Sequence, residues 1–436
     1  MNKKLLLAGL AGILSLATAC KKDDPSPKPT PTPQPGFTIE AKTTDLLQFD
    51  TVRLSAQGAK ADAKLSWVIN GKEVGEGKDY AFTQPRVGRY QVSLVDKTSG
   101  EKVSKDFSVT ARFTSGAFLL NEGNFGNETG TLTYIDASKQ FVLDSAYIRV
   151  NGTKLGNVCQ DMTFANGKVY IISQNGPMNG GEGLLTIADA KTLEKHKVIN
   201  DATLAKDWPT HIAVVHSRIY LRGNSGIYRG TEEGGFKLIP GTEKANKLRM
   251  VTIGELVIAT TSTNKLLVIQ DEEVKQTFTL PEGSPSGLAL APDGQLWLSY
   301  SKPNTLAKVS VSASGVKILD KHATTQSLDK KYTATSAIFA RANQIFFTEQ
   351  SSVIYRHDFS TGETKEIVDV QKVDKQAKMY YNSLGIDPKT GHIYYASFGD
   401  YSTYKKNVTL VLDHDGKVLL KREHVNAFPA GFYFIP

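Results

Sequence analysis

Short polar and aromatic segments recur between the apolar runs of this sequence, and they hold the side chains that could do chemistry. Amide, hydroxyl and aromatic groups predominate there, and charges are few. Amides both donate and accept hydrogen bonds, and aromatic rings bury a large area at low entropic cost. This mixture suits binding of a large, neutral, amide-bearing molecule that lies flat. The residues that we select as ligand contacts are Asn121, Glu122, Asn124, Phe125, Asp161, Gln174, Asn175, Trp208, Arg222, Asn224, Tyr300, Glu349, Asn382, Phe398, Tyr401 and Phe428.

Catalytic and metal-binding patterns are weak by comparison. The eight histidines show no paired spacing of the kind that metal ligands need. Carboxylates of a glycoside hydrolase would have to converge on one point. Glu122, Asp161, Glu349 and Asp400 could do so, but nothing in their spacing sets the distances between them. We therefore predict no catalytic residue, no metal and no cofactor, and we keep an enzyme as the alternative.

The element that must position these residues is a repeated β-hairpin. In Gln160–Asn175, two apolar runs flank Asn166-Gly167, the strongest short-range hairpin signal because both residues of the turn take positive φ. Similar hairpins follow at residues 212–222, 249–261, 287–300, 336–349 and 384–397. A third run, and usually a fourth, comes after each. Four short strands in a unit of about 40–50 residues are typical of a β-propeller blade.

Two incomplete pieces remain at the ends of the repeated region. Residues 116–123, 131–136 and 140–147 supply a second, third and fourth strand, and residues 430–436 supply a first strand. Together they complete one blade and hide two exposed sheet edges. The prediction is an all-β chain with a seven-bladed propeller that the C-terminal strand closes. The only helix expected is one turn at Ala202–Lys206.

The candidate residues then fall on one face of the propeller. The loops before the first strand of each blade and those between its second and third strands open on the same side. The dipeptide Gln160-Asp161 directly precedes the predicted first strand of one blade. Of these two residues, we take Asp161 as the ligand contact. Polar residues at strand ends also satisfy backbone groups at blade corners, which is the simpler explanation for any single one of them.

The N-terminus reads as a targeting segment. Lys3-Lys4 and the apolar stretch Leu5–Leu16 lead to small residues and then Cys20, which resembles the lipobox of bacterial lipoproteins. We expect a signal peptide at 1–19, lipidation of Cys20 and a proline-rich tether at 20–36. The expected location is the outer membrane, facing the cell surface. A formal net charge of +8 is modest for 436 residues and argues for no nucleic-acid partner.

Residues 37–112 form a separate unit of short alternating runs, with Trp67 where a β-sandwich core needs a large aromatic residue. The segment 87–96 resembles the G-x-Y-x-V-x-L signature of PKD-like and Ig-like modules. We predict a small Ig/PKD-like β-sandwich at 37–112 that moves independently of a propeller at 113–436. With Cys20 acylated, Cys159 has no disulfide partner, and we interpret it as a buried small hydrophobe.

A family resemblance covers the propeller. Residues 118–136 (FLLNEGNFGNETGTLTYID), residues 160–175 and the terminal AGFYFIP resemble the YncE-like seven-bladed surface lipoproteins of Bacteroides-type bacteria. That group includes the BtuG-type proteins, which capture cobalamin beside a TonB-dependent transporter. The resemblance implies a non-enzymatic capture protein with a corrinoid ligand and such a transporter as partner. A propeller lyase, a glycan hydrolase and a protein-binding adhesin stay open as alternatives.

Overall fold

The first part of the molecule is a pair of β-sheets. The computed structural model describes residues 36–329, 336–349, 351–380, 382–425 and 428–436, so the predicted signal peptide, Cys20 and nearly all of the predicted tether lie outside the described residues. The first eight strands are β1 (Thr38–Ala41), β2 (Asp45–Leu47), β3 (Thr51–Gln57), β4 (Leu65–Ile69), β5 (Lys72–Glu76), β6 (Asp79–Thr83), β7 (Gly88–Asp96) and β8 (Lys102–Thr110).

These strands form one sheet in the order β1-β3-β6 and a second in the order β2-β8-β7-β4-β5. Alternate residues of both sheets point into one shared cluster, because successive side chains of a strand face opposite sides. Trp67 lies fully buried in it, and its indole nitrogen donates to the carbonyl oxygen of Gly77 at 2.9 Å. The large aromatic residue therefore occupies the position that its place in the sequence predicts.

After residue 112, the described residues form seven four-stranded sheets. Sheet 1 begins with β9 (Ala117–Asn121), β10 (Thr131–Asp136) and β11 (Phe141–Leu143). Each of the next six sheets takes four consecutive strands. Those of sheets 2 to 4 are β12 (Asn157–Ala165), β13 (Lys168–Gly176), β14 (Leu185–Asp189), β15 (Lys195–Ile199), β16 (His211–Val215), β17 (Arg218–Gly223), β18 (Gly226–Thr231), β19 (Gly234–Leu238), β20 (Val251–Ile253), β21 (Leu256–Thr260), β22 (Lys265–Gln270) and β23 (Glu273–Thr279).

Sheets 5 to 7 continue the same four-strand pattern. Their strands are β24 (Ser284–Leu290), β25 (Leu296–Ser301), β26 (Thr305–Ser312), β27 (Gly315–Ala323), β28 (Ile338–Arg341), β29 (Gln344–Thr348), β30 (Val353–Asp358), β31 (Glu363–Asp369), β32 (Leu384–Ile386), β33 (Ile393–Phe398), β34 (Lys406–Leu412) and β35 (Val418–Val425). The last strand of the chain is β36 (Pro429–Phe434).

The predicted hairpin at Asn166-Gly167 is present. Asn166 has φ 52° and Gly167 φ 72°, and Ala165 pairs with Lys168 across the turn. Positive φ at both positions matches the right-handed twist of the two strands that the turn joins.

The seven sheets form a ring, as in a β-propeller. The innermost strands contact one another in the order β12, β16, β20, β24, β28, β32, β36 and back to β12. Each pair of neighbouring sheets also encloses its own cluster of buried apolar side chains. Apolar residues on alternate positions of each strand therefore pack against the sheet before and the sheet after.

The C-terminal strand closes this ring. β36 pairs antiparallel with β9, so that sheet 1 has the order β11-β10-β9-β36. The predicted closure between the two ends of the repeated region is confirmed. Pairing hides one edge of each partner strand, which would otherwise be available to another chain.

Helices are few in the described part of the chain. They are α1 (Ala146–Asn151), α2 (Ala202–Asp207) and α3 (Val370–Val373), with single 3-10 turns at Ala137–Lys139 and Met178–Gly180. The predicted turn of helix after Asp201 is confirmed, and the side chain of Asp201 caps it. Residues 140–147 are a correction: only Phe141–Leu143 is strand, and α1 begins at Ala146.

A buried polar contact joins the sandwich to the propeller, and the expected independent motion of the two parts stays a prediction. The side chain of Gln48 is buried, and its amide donates to the carbonyl oxygen of Thr192 at 3.0 Å and accepts from the backbone of Arg112 at 3.2 Å. The ring of Phe49 packs beside Phe113, with centroids 6.4 Å apart. A buried amide without hydrogen-bond partners costs free energy. Separating the two parts would break the hydrogen bonds of Gln48 or expose them to water.

No helix within the described ranges is long and apolar enough to cross a membrane.

Candidate ligand-binding site

A cavity of about 390 Å³ opens where loops of sheets 1, 2, 4 and 7 meet. We call it the aromatic cavity. It contains six of the predicted ligand contacts, namely Glu122, Asn124, Phe125, Gln174, Tyr401 and Phe428. Gly123, Val158, Gln160 and Lys247 complete its lining. Residues that are far apart in the sequence therefore meet at one site because the loops of several sheets converge there.

The floor of the aromatic cavity is formed by an irregular start of β12. The pairing of β12 with β13 shifts register between Asn157 and Cys159 and again between Cys159 and Asp161. Val158 has φ 56°, a left-handed conformation that β-branched residues rarely adopt. Bulges of this kind re-aim side chains near functional sites, and here both Val158 and Gln160 line the cavity.

Gln160 supplies an unpaired polar group to this floor. Its side chain is 2% exposed, and Oε1 has no hydrogen-bond partner among the described residues. A buried acceptor without a donor costs free energy until some group supplies one. A ligand N–H or O–H in the aromatic cavity would do so.

Asp161, the neighbour of Gln160, does not line this cavity, which corrects our choice between the two. Its carboxylate is buried and accepts hydrogen bonds from the hydroxyl of Tyr433 at 2.7 Å, Nε of Arg249 at 3.2 Å and the backbone of Ile212 at 3.1 Å. The guanidinium carbon of Arg249 also lies 4.4 Å from the ring centroid of Tyr433. Burial raises the pKa of Asp161, and Arg249 opposes that shift. Asp161 therefore stabilises the inner strands of the ring.

A cation and an anion, Lys247 and Glu122, both line the aromatic cavity. Glu122 is nearly buried, while Lys247 reaches solvent at the mouth. The protein around Lys247 displaces water and lowers its pKa, and the charge of Glu122 acts in the opposite direction. The pair leaves this part of the cavity close to neutral.

Aromatic rings from sheets 7 and 1 form one side of the cavity. Phe428 stacks on Tyr404, with centroids 4.9 Å apart and planes 10° apart. Phe398 is buried and meets Phe428 edge-on at 5.5 Å, so it supports the rim from beneath. Tyr401 lies 5.9 Å from Phe428 and is 62% exposed. A supported ring with an exposed neighbour offers a flat apolar surface to a ligand.

Phe125 stands on a separate loop of sheet 1 and is 57% exposed. Its carbonyl oxygen accepts from the side chain of Asn179 at 3.1 Å, and the side chain of Asn157 donates to the carbonyl oxygen of Asn124 at 3.0 Å. Glu128, on the same loop, forms an ion pair with Lys405 of sheet 7. The loops that carry Phe125 and Tyr401 are therefore fixed to their neighbours.

Four further predicted contacts are buried and are corrections; Asn121, Tyr300 and Phe398 lie in strands, and Asn382 lies in the turn before β32. Asn121 is buried, and its amide donates to Leu119, Thr131 and Thr133. Tyr300 is fully buried in the core between sheets 4 and 5. Asn382 donates to the carbonyl oxygen of Pro429 at 3.1 Å, and Phe398 is the buried support described above. The strands extend further toward the loops than the sequence pattern indicates. The side chains at these strand ends therefore turn into the core.

The remaining predicted contacts lie outside the cavity lining. Asn175 donates to Asn157 at 2.8 Å, and Arg222 donates twice to the carbonyl oxygen of Ala245, so both hold neighbouring segments in place. The other three are exposed: Trp208, Asn224 and Glu349.

The structure adds Gly123, Val158, Gln160 and Lys247 to the predicted set. Gln160 could have been found, because it stands beside the selected Asp161 in the sequence. Val158 depends on a bulge, and Lys247 stands in an irregular segment between sheets 3 and 4, so no periodic pattern marks either one.

The chemistry available in the cavity is stacking and hydrogen bonding around one opposed pair of charges. Among the described residues, no group of three or more histidine, cysteine, aspartate and glutamate side chains is arranged to hold a metal ion.

Comparison with known proteins identifies the larger part of the chain. Residues 115–435 match the family described as Domain of unknown function (DUF5074). The chain belongs to this family. Residues 27–104 match the Penicillin-Binding Protein C-terminus Family. No curated protein matches the sequence.

Solved structures agree on the architecture. A quinonprotein alcohol dehydrogenase-like protein from Bacteroides thetaiotaomicron is 16% identical, with a TM-score of 0.62, over 92% of this chain and 99% of that one. A protein from Lactobacillus plantarum is 11% identical, with a TM-score of 0.51, over 74% of this chain and 99% of that one. At these identities the likeness concerns the fold alone.

Proposed function

We propose that this chain is a surface lipoprotein whose seven-bladed β-propeller captures a small molecule in the aromatic cavity without converting it. The ligand that we propose is a corrinoid such as cobalamin, passed on to a TonB-dependent outer-membrane transporter. The observation that carries the proposal is the meeting of exposed aromatic rings with buried amides in one cavity.

The aromatic side of the cavity supports a flat ligand. Tyr401 and Phe125 are exposed although they are large aromatic residues, and Phe428 is fixed by the stacked ring of Tyr404. Exposed aromatic groups around a concave site are typical of binding surfaces, because they bury much area with little loss of entropy. A corrin ring has such a flat face.

The polar floor supports a ligand that carries amides. Gln160 and Gln174 present groups that both donate and accept, and Oε1 of Gln160 is without a donor in the described structure. The amide side chains of a corrinoid would match them. A cavity of about 390 Å³ lies at the low end of the range for small-molecule sites. One edge of a corrinoid would therefore occupy it, and the rest would lie over the aromatic rim.

Capture is favoured over glycan hydrolysis by the charges of this site. Hydrolysis of a glycosidic bond by the usual mechanism uses two carboxyl groups on either side of that bond. Glu122 is the one carboxylate among the residues lining the aromatic cavity in the described structure, and Lys247 belongs to the same lining.

The N-terminal parts would present the propeller to its partner. We propose that Cys20 is acylated in the outer membrane, that the proline-rich tether spans the distance from the surface, and that the sandwich is an Ig/PKD-like spacer. The buried contact between Gln48 and Thr192 would then hold the propeller at a set orientation to that spacer.

Titration calorimetry with cyanocobalamin tests the ligand. We expect micromolar or tighter binding to the full chain, and weakening by Tyr401→Ala. Absence of binding at micromolar concentration would reject the corrinoid, and a neutral oligosaccharide in the same experiment would test a glycan as the captured molecule.

The membrane location has its own test. In a bacterial host that acylates lipoproteins, the natural chain should appear in the outer-membrane fraction and Cys20→Ser should not. Equal membrane recovery of both chains would reject lipidation at Cys20.

A further inference from the structure

A second cavity of about 360 Å³ lies on the axis of the ring and is lined by the inner strands of six sheets. We call it the axial cavity. Its lining comes from β12, β20, β24, β28, β32 and β36 and from the residues next to these strands.

The axial cavity is separate from the aromatic cavity. Val158 and Gln160 of β12 line the aromatic cavity, whereas Met162, Thr163 and Phe164 of the same strand line the axial one. From Val158 to Phe164 a strand advances about 20 Å. The two cavities therefore lie at opposite ends of β12, with Asp161 between them.

The walls of the axial cavity are apolar apart from one charge and a few hydroxyl groups. Arg249 is the single charged residue of the lining within the described ranges, and Thr163, Thr252, Ser336 and Tyr433 supply the hydroxyls. A concave apolar surface with a few placed polar groups is the usual form of a small-molecule site.

The guanidinium of Arg249 has donors to spare. Its Nε donates to Asp161 at 3.2 Å, and the group lies over the ring of Tyr433. Nη2 is buried and has no acceptor among the described residues. Asp161 in turn receives hydrogen bonds from Tyr433 and from the backbone of Ile212, so its charge is spread over three donors. An additional acceptor at Arg249 would therefore find unused N–H groups.

We propose that the axial cavity binds an amphipathic monocarboxylate, with the carboxylate at Arg249 and the hydrocarbon chain along Leu288, Ile338 and Phe432. Arginine pairs with carboxylates through two parallel hydrogen bonds, which are stronger than bonds between neutral groups. The apolar walls exclude a strongly hydrated anion such as sulfate, because it would lose water without gaining enough partners. An alkylammonium would meet a like charge.

A series of head groups on one chain length tests the proposal by calorimetry on the full chain. Octanoate should bind at one site, 1-octanol at least about tenfold more weakly, and octylammonium without measurable heat. Equal affinities for octanoate and octanol would overturn the role of Arg249. No binding of octanoate at millimolar concentration would overturn the site.

Two substitutions locate the binding. Thr252 lines the axial cavity, so Thr252→Trp should fill it and weaken octanoate binding at least about tenfold. Thr277→Trp is the matched control, because Thr277 is exposed on β23 at the outer edge of sheet 4. Arg249→Gln should remove the preference for octanoate over octanol. If that variant does not fold, the Thr252→Trp result decides, and an unchanged affinity in Thr252→Trp would reject the axial site.

Discussion

The aromatic cavity and the axial cavity share one strand and differ in how they are built. Loops supply most of the aromatic cavity, and its lining mixes rings, amides and an opposed pair of charges. Inner strands supply the axial cavity, and its lining is apolar around Arg249. In a strand, successive side chains point to opposite faces of the sheet. Loop residues do not follow this alternation, so polar side chains of a loop can lie next to one another. One ring of sheets therefore carries two cavities whose linings differ in chemistry.

Removing the last strand should break both cavities at once and have the largest effect. Deleting Ala430–Pro436 takes away nearly all of β36, which pairs with β9 and supplies Phe432, Tyr433 and Phe434 to the axial cavity. We expect loss of cooperative unfolding and aggregation, because the edge of β9 is exposed. Circular dichroism and size-exclusion chromatography measure this. Deleting the exposed Pro436 alone is the control, and a monomeric deletion with an unchanged melting temperature would contradict ring closure.

Removing the charged side chain of the axial cavity should have the second largest effect. Arg249→Met leaves the buried carboxylate of Asp161 without its cation, a change that costs about 3–5 kcal/mol of unfolding free energy at comparable sites. Denaturant unfolding measures it. The double variant Arg249→Met with Asp161→Asn should lose less unfolding free energy than the sum of the losses in the two single variants, because it leaves no unpaired charge.

The matched control for this charge is Arg53→Met. Arg53 pairs with Asp79 at 2.9 Å on the exposed face of the sandwich, where water screens the pair. We expect little change in its unfolding free energy. If Arg53→Met and Arg249→Met lost similar amounts of unfolding free energy, burial would not explain the strength of the Arg249–Asp161 ion pair.

The aromatic rim should show a smaller, local effect. If cyanocobalamin is the ligand, Tyr401→Ala should weaken its binding by about 2 kcal/mol, or roughly thirtyfold, without altering octanoate binding. Trp208→Ala is the control, because Trp208 is exposed and lies outside the lining. Calorimetry checks both. A greater loss in Trp208→Ala than in Tyr401→Ala would place the ligand on another part of the face.

The smallest expected signal comes from Cys159, which lies in the irregular start of β12 between Val158 and Gln160. Its thiol is fully buried, and burial raises its pKa. In a chain with Cys20→Ser, a thiol reagent should leave folded Cys159 unmodified and react with it after unfolding. Raising the pH to about 9 should not change this, since the thiol stays protonated. Rapid labelling of the folded protein would contradict the burial of this thiol.

Much of the fold could be predicted because its signals are local. The alternation of apolar residues and the turn at Asn166-Gly167 locate strands without any knowledge of distant contacts. The apolar runs at 116–123 and 430–436 each lack a partner strand nearby in the sequence. They are predicted to pair with each other, since exposed sheet edges are unfavourable. The joint at Gln48 and Arg112 had no such signal, because a buried amide looks like any surface amide in a sequence.

The candidate site could be predicted only in part. Phe125, Tyr401 and Phe428 were found because large aromatic residues in polar loops stand out. Tyr300 was chosen by the same reasoning, and Asn121 was chosen as an amide at a strand end. Both lie in the core, since a strand longer by one or two residues turns its last side chains inward.

By itself the sequence determined the all-β class, the repeated four-strand unit, the pairing of the two ends and the loops that carry aromatic and amide groups. Only the tertiary structure decided that Gln160 and not Asp161 faces the aromatic cavity, because two register shifts in β12 set which side each residue takes. It also decided that Lys247 lines the same cavity as Glu122 and that Arg249 forms an ion pair with Asp161. The two residues of each pair belong to different parts of the ring. The distance between them is set when the ring closes, and the spacing of residues in the sequence does not determine it.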